Sequence, residues 1–132
     1  MTDFIAFETL IRSPKPNTCL VAPEGLCKNA QADFAPQTFP KAATALYDSV
    51  TQLISAERHW GKLLTDKDNL RLRFVAITPF MRFKDDVDIQ IIASPETESA
   101  TLAIYSRSRV GYSDFGANRK RIVKLLADLT RI

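Results

Sequence analysis

From Lys41 onward, apolar residues recur first at helical spacing, then in alternation, then at helical spacing again. Ala43, Leu46, Tyr47, Val50, Leu53 and Ile54 follow one another at three- and four-residue intervals, which puts them on one face of a helix from Lys41 to Glu57. Pro40 stands at its first position, where a missing N–H is no loss. Alternation then predicts strands over Trp60–Leu64, Leu70–Ile77, Met81–Ile92 and Ala100–Arg109. In the second of these Leu70, Leu72, Phe74 and Ala76 share a side, with Arg71 and Arg73 opposite. In the third, Met81, Phe83, Val87, Ile89 and Ile91 face inward and Arg82, Lys84, Asp86, Asp88 and Gln90 outward. The turn sequences Asp66–Asn69, Thr78-Pro79 and Pro95–Ser99 separate them.

A second helix is expected from Phe115 or Ala117 to Arg131, with Phe115, Asn118, Ile122, Leu125, Leu126 and Leu129 inward and Lys120, Arg121, Lys124, Asp128 and Arg131 in water. Short links imply antiparallel pairing, and strands with one apolar and one charged face imply an open sheet covered on one side. The expected fold is therefore α+β: two layers, an antiparallel meander of three to four strands, and two helices on one face.

Residues 1–40 break this pattern. Five of the seven prolines lie there, each removing a backbone donor, so neither a long helix nor a central strand can run through the segment. A short helix over Asp3 to Ile11 fits the spacing of Phe4, Phe7 and Ile11. The rest reads as a wrap anchored by Phe34 and Phe39. The division is a proline-rich wrap (1–40) and an α+β core (41–132) within a single domain.

Composition adds exclusions. The 132 residues carry 45% apolar and 25% charged side chains and suit one self-sufficient core. No apolar run could span a bilayer, and the first residues lack the pattern of a secretion signal. A cytoplasmic location is expected, or a periplasmic one if a leader is missing. Cys19 and Cys27 are expected as thiols in a reducing compartment and could close a disulfide in an oxidising one. With one distant histidine, His59, they make no zinc site.

Charge is unevenly placed. Seven of 18 basic residues, against two of 15 acidic ones, lie between Arg107 and Arg131, a local excess of +5 against −2 for the rest of the chain. One inward position of the third strand is also anomalous: alternation from Phe83 to Val87 puts Asp85 on the apolar face, where an unpaired carboxylate would cost several kcal/mol or take up a proton. A β-bulge at Asp85-Asp86, a solvated position at the sheet rim, or pairing with a cation or backbone amides would each resolve it. A register that sets Ile92 opposite Thr101 puts Asp86 opposite Arg107, Lys84 opposite Arg109 and Asp85 beside Ser108.

After Arg109 the chain runs through Gly111-Tyr112-Ser113-Asp114-Phe115-Gly116 into the second helix, whose first turn has unpaired N–H groups and a partial positive charge. Ser113 or Asp114 suits the N-cap. The candidate ligand-binding set is Asp85, Asp86, Arg107, Arg109, Tyr112, Asp114, Asn118 and Arg119, with no metal or cofactor expected.

The segment IYSRSRVGYSDFGANRKRI, Ile104 to Ile122, with RFKDDVDI, Arg82 to Ile89, resembles the bacterial and plastid family known as domain of unknown function 1499. The resemblance rests on Asp85 and Asp86, then Ser106, Ser108, Arg109, Gly111, Asp114, Gly116, Asn118, Arg119 and Arg121. The stretch PNTCLVAPEGLC, Pro16 to Cys27, is similar to that family's N-terminal region. The resemblance implies that these motifs form one constellation; it implies no activity.

The leading expectation is a binding or accessory domain that recognises an anionic small molecule or a protein partner at the junction Arg107 to Arg119. A hydrolase-like enzyme using Asp85 and Asp86, with Arg109 holding an oxyanion, is the alternative, together with a purely structural interaction protein. The sequence leans away from an enzyme, since it contains no P-loop, G-x-S-x-G, H-E-x-x-H or dinucleotide-binding glycine pattern. Nucleic acid is disfavoured because no aromatics accompany the cations Arg119, Lys120, Arg121 and Lys124 on the outer helix face.

Overall fold

A computed structural model describes residues 4–132. Its elements are β1 (Thr18–Val21), α1 (Ala43–Ala56), β2 (Trp60–Asp66), β3 (Arg71–Ile77), β4 (Lys84–Ala93), β5 (Ala100–Ser108) and α2 (Ala117–Leu129). The strands form one antiparallel sheet in the order β1-β5-β4-β3-β2. The α+β class and the two helices are as the pattern implies, but the sheet has five strands rather than three or four.

The additional strand comes from the leader. Six residues with N–H groups lie between Pro16 and Pro23, and four of them pair with β5, from Thr18 opposite Arg107 to Val21 opposite Ile104. Prolines at both ends fit an edge strand. The expected helix over Asp3 to Ile11 does not form among the described residues: a turn closes with Thr9 N donating to Ala6 O at 3.2 Å, and Asp3 lies outside them.

Cys19, Val21, Leu72, Phe74, Val87, Ile89, Ile91, Leu102 and Ile104 on one face of the sheet pack against Leu46, Tyr47, Val50 and Ile54 of α1 and Ile122, Leu125, Leu126 and Leu129 of α2. The opposite face is not left bare. Phe7 with Ile5, Leu10 and Leu26 covers Leu20, Ala103 and Tyr105, so the leader shields the β1–β5 edge. Phe34 and Phe39 do anchor it: Phe34 bridges to Val21, and Phe39 exchanges both backbone hydrogen bonds with Ala100.

Two boundaries differ from the pattern. The bridge at Phe39 holds the chain extended, so α1 starts at Ala43 and Pro40 lies before the helix. Strand β4 starts at Lys84 because Thr78 closes a tight loop: its N–H donates to Phe83 O (2.9 Å), its carbonyl accepts from Arg82 N (3.0 Å), and its hydroxyl accepts from Phe83 N (2.9 Å). Met81 and Phe83 are consequently exposed rather than inward, as is Phe115, which precedes α2.

Candidate functional site

The junction is built around Asp85. Strand β4 keeps an unbroken register with both neighbours, Asp85 opposite Ala76 on one side and Ser108 on the other, so there is no bulge. The side chain is 1% exposed, so it is not at a solvated rim either. Pairing resolves it: Arg121 Nη2 donates to Asp85 Oδ2 at 2.8 Å. Arg121, expected in water, is 10% exposed at its side chain. It reaches inward because residue 121 follows Asn118 by three and precedes Leu125 by four, at the edge of the buried stripe.

The second nitrogen of Arg121 ties the pair to the rest of the junction. Nη1 donates to Ser106 Oγ and to Asn118 Oδ1, each at 2.9 Å, while Ser106 Oγ donates to the same Asn118 oxygen at 2.6 Å. Asn118 Nδ2 faces three acceptors, Asp114 Oδ2 (2.7 Å), Asn17 O (2.9 Å) and Ser108 Oγ (3.0 Å). Asn17 in turn donates from Nδ2 to Gly111 O at 2.8 Å and accepts from Ser108 N at 3.1 Å. One buried amide therefore holds the last strand, the loop, the leader and the helix together.

Asp114 begins the helix from two residues before its N-cap. Gly116 occupies the cap with φ 81, and Asp114 accepts from Gly116 N (2.8 Å) and Asn118 N (3.0 Å). Burial works against the charged carboxylate, but those amides and the Asn118 side chain outweigh it and hold its pKa below the usual 3.8. Ser113 Oγ accepts from Phe115 N at 3.3 Å.

Asp86 points to the other face of the sheet, as the next residue of a strand must. There Arg109 grips it with two bonds, Nε to Oδ2 and Nη2 to Oδ1, both 2.9 Å. Burial raises the Asp86 pKa, and the Arg109 fork together with Arg107 and Arg73 more than reverses this, leaving it lowered. Arg107 Nη1 lies 2.8 Å from Asp88 Oδ2, and Arg73 is 3.7 Å from Asp86 and 3.8 Å from Asp88. Arg107 and Arg109 thus already face carboxylates of the same chain. Asp85 and Asp86, separated by the sheet, cannot converge on one substrate, so the geometry does not supply the carboxylate couple that a hydrolase-like reading requires.

Arg119 is placed differently. It is exposed, its guanidinium lies 4.7 Å from the centre of the Phe34 ring, and it lines a cavity of about 230 Å³ with Pro16, Thr18, Cys19, Asp33, Ser113, Asp114 and Gly116. Asp33 is engaged elsewhere, accepting from Arg12 Nη2 and Leu20 N at 2.9 Å each. Burial raises the Asp33 pKa, and these two donors bring it below the usual value. Tyr112 stands exposed on the loop before the helix and joins no part of the junction network.

Of the candidate residues, then, Asp85, Asp114 and Asn118 meet in one buried network, Asp86, Arg107 and Arg109 form ion pairs on the opposite face, and Arg119 lines the cavity. Residue-type reasoning missed Asn17, Ser106, Ser108 and Arg121 as working parts. All but Asn17 stand in the motif spacing itself, S-x-S followed by N-x-x-R at one-turn separation.

These features define a class: a two-layer α+β domain in which a polar junction, spread over the leader, β4, β5 and the start of α2, fastens helix to sheet. The chain belongs to the family described as "Protein of unknown function (DUF1499)", whose model matches residues 13–129. No curated protein matches it. No helix among the described residues is long and apolar enough to cross a membrane.

Proposed function

We propose that the chain is a binding domain that takes an anionic group, the carboxylate or phosphate of a small molecule or of a protein, into the cavity at the start of α2. Arg119 is the recognising cation. The observation that carries this reading is the disposition of the arginines from Arg107 to Arg121: Arg107, Arg109 and Arg121 face internal carboxylates, and Arg119 has none within ion-pair distance among the described residues. Thr18 and Ser113 add hydroxyls to the same lining, and the two carboxylates in it are held by Arg12 and by the helix start. The ring of Phe34 beneath the guanidinium fixes its position without neutralising it.

The test is a titration with inorganic phosphate, and separately with acetate, followed through backbone and arginine side-chain NMR signals. Saturable shifts at Thr18, Ser113, Gly116 and Arg119 that vanish in Arg119→Gln are expected. Shifts confined to Arg107 and Arg109, or none at all, would overturn the reading.

A further inference from the structure

We infer that the end of the sheet carrying the β3–β4 and β5–α2 loops is a docking surface for an anionic lipid bilayer. Six of the ten exposed large apolar side chains of the described residues stand on these two loops: Phe80, Met81 and Phe83 on the first, Val110, Tyr112 and Phe115 on the second. The loops are neighbours, because β4 and β5 pair through Asp85 opposite Ser108 and Arg109 N donates to Lys84 O at 3.1 Å. Scattered single apolar residues on a surface need no explanation; a concentration at one end does.

The exposure is built into the backbone. The three hydrogen bonds of Thr78 close the first loop from both sides and leave Phe80 and Met81 at its apex. Arg82 and Phe115 sit in the left-handed region with φ 55 and 53, conformations that cost non-glycine residues energy. Phe80 is 98% and Phe115 90% exposed, so these rings project with almost no protein around them.

Charge selects the occupant. Residues 78–84 and 109–116 contain Arg82, Lys84 and Arg109 and one acid, Asp114, whose carboxylate is turned to the amides of Gly116 and Asn118. Arg58 and His59 join the same end, where His59 O accepts from Ile77 N at 2.9 Å. Arg82, Lys84 and Arg58 make no ion pair among the described residues, unlike Arg109 with Asp86. Projecting aromatic and thioether tips set among unpaired cations match a surface that is soft and apolar below and anionic above. That is a bilayer interface, in which rings insert to the acyl boundary while Arg and Lys meet the headgroups. A folded protein partner would instead have to offer two pockets to two separate projections.

The experiment is sedimentation of the protein with vesicles of phosphatidylcholine alone and with about one-third phosphatidylserine, at low and moderate salt. Binding to the anionic vesicles only, weakened by salt, is expected. Phe80→Ser with Met81→Ser should weaken it more than roughly tenfold, from the lost apolar burial. Arg82→Asn, which keeps a residue tolerant of positive φ, should weaken it about fivefold, the share of one cation near an anionic surface. All three sites are exposed, so melting temperatures should stay within about 2 °C of the parent chain. Absence of pelleting with anionic vesicles at low salt overturns the proposal. So does binding that is indifferent to the loop variants. Because Arg119 lies outside these loops, Arg119→Gln leaves vesicle binding unchanged, and the two proposals fail separately.

Discussion

Arg121, on the first turns of α2, reaches across β5 to place Nη2 2.8 Å from Asp85 Oδ2 on β4, with Ser106 of the intervening strand bonded to its other terminal nitrogen. Helix and sheet are therefore joined by a charge-assisted bond through the layer that separates them. A carboxylate on the apolar face of a central strand is tolerable only because a cation from the covering layer meets it.

Breaking that pair from one side leaves the other charge buried. Arg121→Met should destabilise the protein by about 3–5 kcal/mol, and Asp85→Leu by a similar amount. The pair is incompletely satisfied, since Asp85 Oδ1 has no hydrogen-bond partner among the described residues. The double variant Asp85→Leu/Arg121→Met should therefore lose clearly less than the sum of the two single changes. Urea unfolding of the four proteins measures this coupling; strict additivity would show that the two side chains do not act as a pair.

Three carboxylates give the fold an acid limit. In Asp33, Asp86 and Asp114 burial is outweighed by Arg12, by Arg109 and by the amides of Gly116 and Asn118 respectively, so each has a lower pKa folded than unfolded. A lowered folded pKa means that the unfolded chain binds more protons in acid. The stabilisation is complete above the unfolded value, near 4, and is lost as pH falls through the folded values. Unfolding free energy should drop steeply below about pH 4 and vary little with these groups above it. Asp114→Ala should cost about 1 kcal/mol or somewhat more at neutral pH and flatten part of the acid slope. An unchanged slope would show that its bonds to α2 contribute nothing to the linkage.

Much of this arrangement was legible in the residues, because side-chain alternation and turn length determine register. The alternation of Val87, Ile89 and Ile91 with Asp86, Asp88 and Gln90 fixes which face of β4 is buried, and the Pro95–Ser99 turn fixes that Asp85 lies opposite Ser108 and Asp86 opposite Arg107. What alternation cannot state is what lies above a given face. Asp86 and Asp85 are adjacent and chemically alike, yet one meets Arg109 on the face away from the helices and the other meets Arg121 beneath a helix. Arg121 was misplaced because a long cationic side chain at the border of an apolar stripe can turn either way, and the partner that decides comes from 36 residues earlier. Asn17 and β1 were missed for a related reason: a strand of four residues carries too little periodicity to be predicted, and pairing with β5 supplies what local pattern lacks.

The two cysteines show the same dependence on faces. Cys19, on β1, belongs to the cluster beneath the helices, whereas Cys27 packs among leader residues on the opposite side of the sheet, and both are free thiols. Burial, reinforced by the nearby Asp33 carboxylate, pushes the Cys19 thiol up to about 12; burial raises Cys27 as well, from a less enclosed position. Thiolate is the reactive form, so a thiol reagent at pH 8 should modify Cys27 first and reach Cys19 only as the protein unfolds. Linkage gives a second readout. A thiol raised from 9.0 unfolded to about 12 folded supports the fold fully below pH 9 and loses that support as pH rises toward 12. Stability should accordingly decline above pH 9 in the parent chain and decline less in Cys19→Ala, which removes the titrating group but keeps a small apolar residue in the cluster. Modification of Cys19 at the same rate as Cys27 in the native protein, or an alkaline decline untouched by Cys19→Ala, would place the Cys19 thiol outside the protected layer and contradict the assignment of β1 to the sheet.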